Sequence, residues 1–249
     1  MHKLAYMLLF TNLILFTGCK SSSDDLLRVA VASNLSHTFS EIVSNYNQNH
    51  STQIETVVGS SGKLTSQIKE GAPYDIFISA DIDYLDSLKA YDILSSEPIS
   101  YLEGSLLIWL PEASKDSTIL ALKKDHIQKI AIPNPEVAPY GKAAKEILLQ
   151  GGLWEDIKHK MVYGESVSQT NQFIRTGAVQ AALTSRSLSN IDLLNRGKWA
   201  ELPDTLNLLV KHGLATITAI SSRHESFLKH LKSDQAIKIY HNHGYRLYE

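Results

Sequence analysis

Four short stretches carry the residues that could do chemistry: Ser33-Asn34, Gly59-Ser60-Ser61-Gly62, Tyr140-Gly141 and Ser166-Val167-Ser168. Each combines hydroxyl, amide or small residues with a change from a strand-type to a helix-type pattern. A helix start exposes unpaired backbone N–H groups and the positive end of its dipole. Hydroxyls beside it make a site suited to an anion. One such turn is an ordinary cap; four, facing one another, would surround a small volume with donors. None of the four contains an arginine, so a compact oxyanion fits better than an organic carboxylate. Charge-assisted hydrogen bonds contribute roughly 1.5–3 kcal/mol each. Five to seven of them could outweigh an association cost of about 4–15 kcal/mol and give micromolar or tighter binding.

The elements that would position these turns follow in chain order. Leu26–Ala32 reads as a buried strand, and Leu35, Phe39, Ile42, Val43 and Tyr46 fall at helical spacing. A strand over 54–58, a helix over 64–70, a strand over 75–80 and a helix over 82–89 capped by Asp81 complete a parallel α/β pattern. The pattern restarts after a strand at 106–111. Strands at 129–133, 160–163 and 181–184 are separated by helices at 141–149 and 169–176. The stretch from Ser187 to Asp204 reads as a helix with loops, a strand is expected at 214–220, and helices at 225–231 and 233–243 close the chain. The expected fold is α/β and two-lobed, each lobe a mostly parallel sheet flanked by helices, with the ligand in the interlobe cleft at the strands' carboxyl ends. The domains are residues 1–18, a lipoprotein signal peptide; 19–25, a lipidated tether; 26–105 plus 215–249, the first lobe; and 106–214, the second.

The remaining composition narrows the function. Lys and Arg number 24 against 26 Asp and Glu, so no basic excess points to nucleic acid. With 43% hydrophobic residues the 249-residue chain can bury a sizeable core. His2 and Lys3 precede an apolar run to Phe16 with signal-peptide proportions. The run ends in Thr17-Gly18-Cys19, and Cys19 is the chain's single cysteine. Small residues before a lone cysteine resemble a bacterial lipobox, with Phe16 where leucine is more usual. The expectation is an exported protein, periplasmic or on the cell surface, held to the membrane by acyl chains on Cys19. Asp75 and Asp81 suit strand-end and cap roles, Lys63 and Lys142 solvated ones, and His241-x-His243 lacks a third ligand at useful spacing for a metal. Gly59–Gly62 is not a hydrolase elbow, and no nucleophile–base pair stands out; no enzymatic activity is expected.

The same stretches also resemble a known family. Val29–Leu35, Gly59–Leu64, the long run Ile68–Asp81, Ile132–Pro135, Ala138–Gly141, Gly152–Trp154 and Gly177–Val179 are similar to the molybdate-binding proteins of bacterial ABC importers, which have the type II periplasmic binding protein fold. The resemblance covers essentially the whole chain after the tether. It implies oxyanion contacts from Ser33, Asn34, Ser61, Tyr140 and the backbone N–H of Val167. Many members bind the anion with a tyrosine where this chain has Ser185, which stays as a weaker candidate. A subset places its tyrosine in the Pro-x-Gly loop, where Tyr140 stands. The function so implied is capture of molybdate or tungstate by a monomer and delivery to an ABC permease, with no cofactor and no direct protein ligands to the metal. Another small anion, sulfate or phosphate, on the same fold is the alternative, and an exported hydrolase a more distant one.

Overall fold

The computed structural model describes residues 26–189 and 197–248. The signal-peptide and Cys19 expectations lie outside the described residues. From the first strand, β1 (Leu26–Ala32), the chain makes one 3-10 turn at Ser33–Leu35 and enters α1 (Ser36–Asn49). Then come β2 (Gln53–Gly59), α2 (Ser61–Lys69), β3 (Ile76–Ser79), α3 (Ile82–Lys89) and β4 (Ile99–Gly104). After Ser105 the chain forms β5 (Leu106–Pro111), β6 (Ile130–Pro133), α4 (Pro139–Gln150), the short α5 (Trp154–Ile157), β7 (Met161–Gly164), α6 (Val167–Arg175), β8 (Ala181–Ser185) and β9 (Gly197–Ala200). It ends with β10 (Val210–Thr216), α7 (Ser222–Leu231), α8 (Asp234–Asn242) and β11 (Arg246–Leu247).

These strands form two sheets, ordered β11-β4-β10-β3-β1-β2 and β7-β6-β8-β5-β9. The two-lobed α/β architecture is therefore the one expected, but each sheet is mixed. Parallel pairing is confined to β1 with β2 and β3, and to β6 with β7 and β8. The reason is topological. β5 and β10 enter from the other lobe, and each runs antiparallel to both its neighbours. Two of the strands concerned, β4 and β9, have too little apolar run to stand out, and Ser187–Asp204 contains β9 rather than a helix with loops alone. β10 begins at Val210, four residues before the expected strand, because Lys211 and His212 interrupt its apolar pattern.

Alternation along β1 shows why helices cover both faces. Leu27, Val29 and Val31 pack with Leu35, Phe39, Ile42 and Tyr46 of the α1 side. Ala30 points the other way, into a cluster with Leu64 and Ile68 of α2 and Leu85 and Leu88 of α3. The second lobe centres on Ile108, Leu110, Ile130, Ile132, Ile147 and Leu183. Ala32 and Ala80, at the ends of first-lobe strands, belong to that second cluster. The lobes therefore meet where the strands end.

Candidate anion-binding site

Three helix starts converge at this junction, each for a local reason. Asp81 caps α3 beside it by accepting from the Asp83 N–H at 3.1 Å, as its position in the sequence suggests. Ser166 caps α6 in the same way, accepting from the Gln169 N–H at 3.2 Å. Pro139 opens α4, where its missing N–H costs nothing. Gly141 lets that first turn approach β6: a Cβ there would lie 2.1 Å from the Pro133 carbonyl oxygen. α2 begins at Ser61, not Leu64, with Ser60 as N-cap. The Ser60 hydroxyl does not cap the helix; it is buried and has no hydrogen-bond partner.

Contacts across the lobes bring the candidate residues together. The Val167 N–H donates to Ser33 Oγ at 3.1 Å, and Ser168 Oγ donates to the Ser33 carbonyl at 3.4 Å. The Gly62 N–H donates to the Val137 carbonyl at 3.0 Å, setting the start of α2 against the loop before α4. Ser61 Oγ accepts from the Ala80 N–H at 3.0 Å, and Ala80 shares a cluster with Ala32, Tyr140 and Val167. Ser33 and Ser61 both use their oxygens as acceptors, so each still has its own proton to give. Both are nearly fully buried.

Tyr140 is 1% exposed, and among the described residues its hydroxyl has no well-aligned hydrogen-bond partner, with Ser185, Tyr245 and Asn34 as its polar neighbours. The oxygen sits over Gly104, where a Cβ would come within 2.2 Å of it. Burial raises the phenol well above its ordinary pKa, and the neighbouring Tyr245 adds to the effect, so the group is a neutral donor. An unpartnered buried hydroxyl is costly unless something accepts from it.

Asn34 and Ser185 are used differently. Asn34 Nδ2 donates to His212 Nε2 at 2.7 Å and to Tyr245 Oη at 2.8 Å, which commits both amide hydrogens. What Asn34 can still offer an anion is backbone. Ser187 Oγ donates to the Asn34 carbonyl at 2.9 Å and lies 2.9 Å from Ser185 Oγ, so the Ser185 hydroxyl is already engaged within the protein. Sequence reasoning missed His212, Tyr245 and Ser187. A polar residue inside the apolar stretch 210–216 was the available signal for His212. Nothing local marks Tyr245.

The charged candidates stay at the rim. Lys63 pairs with Glu165 at 2.6 Å across the lobes, both largely exposed, and Lys142 lies 3.9 Å from Asp81. A groove of about 500 Å³ here is lined by Lys69, Asp81, Asp83, Glu136 and Lys142 among others. Burial raises the Asp81 carboxyl, partly offset by the hydrogen bond from Asp83. His243 is partly buried and meets Glu41 at 3.0 Å. Among the described residues no group of three or more His, Cys, Asp or Glu side chains could hold a metal ion.

Two lobes closing donor-rich helix starts on one another is the arrangement of a binding protein, and comparison with known proteins decides which kind. Residues 27–246 match the bacterial extracellular solute-binding protein family. The chain belongs to that family. It is 29% identical over 226 residues to the molybdate-binding protein ModA of Azotobacter vinelandii, covering 89% of this chain and 90% of the relative. It is also 29% identical over 251 residues to the putative ABC transporter substrate-binding lipoprotein YvgL of Bacillus subtilis strain 168, covering 94% of each. The solved structure of an Azotobacter vinelandii periplasmic molybdate-binding protein superposes with a TM-score of 0.82 at 23% identity, over 90% of this chain and all of that one. The chain is thus a solute-binding protein rather than an enzyme, and it has the periplasmic binding protein fold.

Proposed function

We propose that this solute-binding protein captures molybdate or tungstate between its lobes and hands it to an ABC permease. One observation carries the reading: the Val167 N–H of one lobe and the Ser33 hydroxyl of the other meet at 3.1 Å, while Lys63 and Lys142 are directed to Glu165 and Asp81 at the rim. A tetrahedral oxyanion would accept from both, and from Ser61 and the Tyr140 hydroxyl. The names of the relatives support molybdate as the anion. Neutral donors with no carboxylate among them disfavour hydrogen phosphate, whose own proton is met best by a charged acceptor. Sulfate is smaller than molybdate and remains the competitor to exclude.

Calorimetric titration of the mature protein with molybdate, tungstate, sulfate and phosphate tests the proposal. The expected result is micromolar or tighter binding of the first two and much weaker binding of the others. Absence of submillimolar binding of molybdate and tungstate overturns it. Acylation of Cys19 is part of the same proposal, with the fold built from residue 26 onward and acting as a monomer. Mass spectrometry of membrane-extracted protein, compared with Cys19→Ser, reads the lipid directly.

A further inference from the structure

Tyr245, between α8 and β11, reaches the lobe junction. Tyr245 is 1% exposed and makes a reciprocal pair with Asn34: its Oη accepts from the Asn34 side chain at 2.8 Å and donates to the Asn34 carbonyl at 2.9 Å. His212 takes the other amide hydrogen. Its Nδ1, 3.3 Å from the Leu102 carbonyl, carries the ring proton, which leaves Nε2 as the acceptor that Asn34 needs. The pairing of β10 with β4 shifts register between His212 and Gly213, an irregularity that re-aims side chains near sites. The His212 ring lies between Tyr140 and Tyr245, with centroids 6.0 and 5.5 Å away.

We propose that Tyr245 is a positioning residue for anion capture, holding the Ser33-Asn34 turn in its binding geometry and registering lobe closure on it; this deepens the function proposed above and rests on it. The Asn34 carbonyl has two lone pairs. One accepts from Tyr245, which belongs to the same lobe, and the other from Ser187, which comes from the opposite lobe. The Tyr245 bond is made within one lobe and persists when the lobes part. The Ser187 bond exists only when they meet. Closure therefore completes a carbonyl that Tyr245 has already oriented, and the neighbouring Ser33 hydroxyl is delivered to Val167 in the same movement. A residue serving only to fill the core here would do so better as phenylalanine, since burying a phenol and an amide costs free energy unless every partner is placed.

The test is a double-mutant cycle, Tyr245→Phe and Ser187→Ala, read by stopped-flow tryptophan fluorescence on the mature protein with whichever of the four oxyanions the wild type binds. Tyr245→Phe is expected to raise the off-rate about tenfold, leave the on-rate within about twofold, and shift the melting temperature of the ligand-free protein by only a few degrees. The two substitutions should be non-additive in off-rate, because both hydroxyls serve one oxygen. An unchanged off-rate in Tyr245→Phe, or strict additivity, overturns the inference. Should Tyr245→Phe fail to fold, the off-rate of Ser187→Ala decides alone, and a wild-type value overturns the inference. A wild type that binds no oxyanion overturns the function and this inference together, whereas normal wild-type binding with an indifferent Tyr245→Phe overturns this inference only.

Discussion

The donor turns and the charged rim lie within a few residues of each other and obey different rules. Ser61 is buried and neutral, whereas Lys63, two positions along the same helix, is about half exposed and tied to Glu165. Val167 and Glu165 make the matching pair in the other lobe. The obvious cations are thus turned outward and offset by carboxylates, while the inward surface consists of hydroxyls, amides and a phenol. Charge in a dry site would attract any anion; fixed neutral donors distinguish anions by size, shape and protonation. In the proposed site the rim would steer and latch, and only the inner ring would choose.

The contrast predicts a graded set of outcomes. Ser33→Asp should do the most damage, because a carboxylate set against a dianion costs several kcal/mol; calorimetry should show binding weakened by more than about a hundredfold. Acid is the second way to bring charge inside. Burial lowers the His212 pKa from 6.5 to about 4. Well above pH 6.5 the ring is neutral whether the chain is folded or not. Between pH 6.5 and about 4 the unfolded chain takes up a proton that the folded one refuses, so stability falls as the pH falls. The loss is complete below about pH 4 and amounts to about 3 kcal/mol. His224 and His230, lowered by burial, push the same way. Urea unfolding at pH 7.5, 5.5 and 4.5 should show the decline, and His212→Gln should flatten part of it.

Ser61→Ala is next. It removes a proton from the ring and should weaken molybdate binding at least about tenfold, the factor corresponding to one net charge-assisted hydrogen bond. It also strands the buried Ala80 N–H, so the ligand-free protein should lose about 1–3 kcal/mol in denaturant unfolding. The smallest effect belongs to the rim. Lys63→Ala breaks an exposed pair of the kind that contributes about 0–1 kcal/mol, so affinity should change less than about threefold. A larger change would mean that the cation reaches the anion.

Local sequence carries the parts of this site that local physics builds. A strand that runs into Gly-Ser-Ser-Gly, the Asp81 cap and the Pro139 helix start are each readable because propensity and capping act within a few residues. The four turns could accordingly be named before their positions in space were known. The hidden parts are those that depend on chain reversal. Asn34 meets His212 and Tyr245 at separations of 178 and 211 residues. No spacing rule announces such a contact, and the fate of the Asn34 amide followed from it. β4 and β9 were obscure for a related reason. Each is a short, partly buried antiparallel strand with few apolar residues in a row, interrupted by Ser100 and Glu103 in one and by Gly197 and Lys198 in the other.

The two passages between the lobes run side by side. β4 leads through Ser105 into β5, while the return chain re-enters the first sheet with Val210 opposite Gly104. Just beyond, Leu106 sits opposite Ser185, and the Arg186 N–H and guanidinium both donate to Ser105, at 2.9 and 2.8 Å. Arg186 thus ties the first passage to the end of β8, beside the second. Two adjacent connections resist twist and sideways slip better than one would, so lobes that part as proposed are left a swing as their freest motion, and the serine of one leaf would return to the same amide of the other.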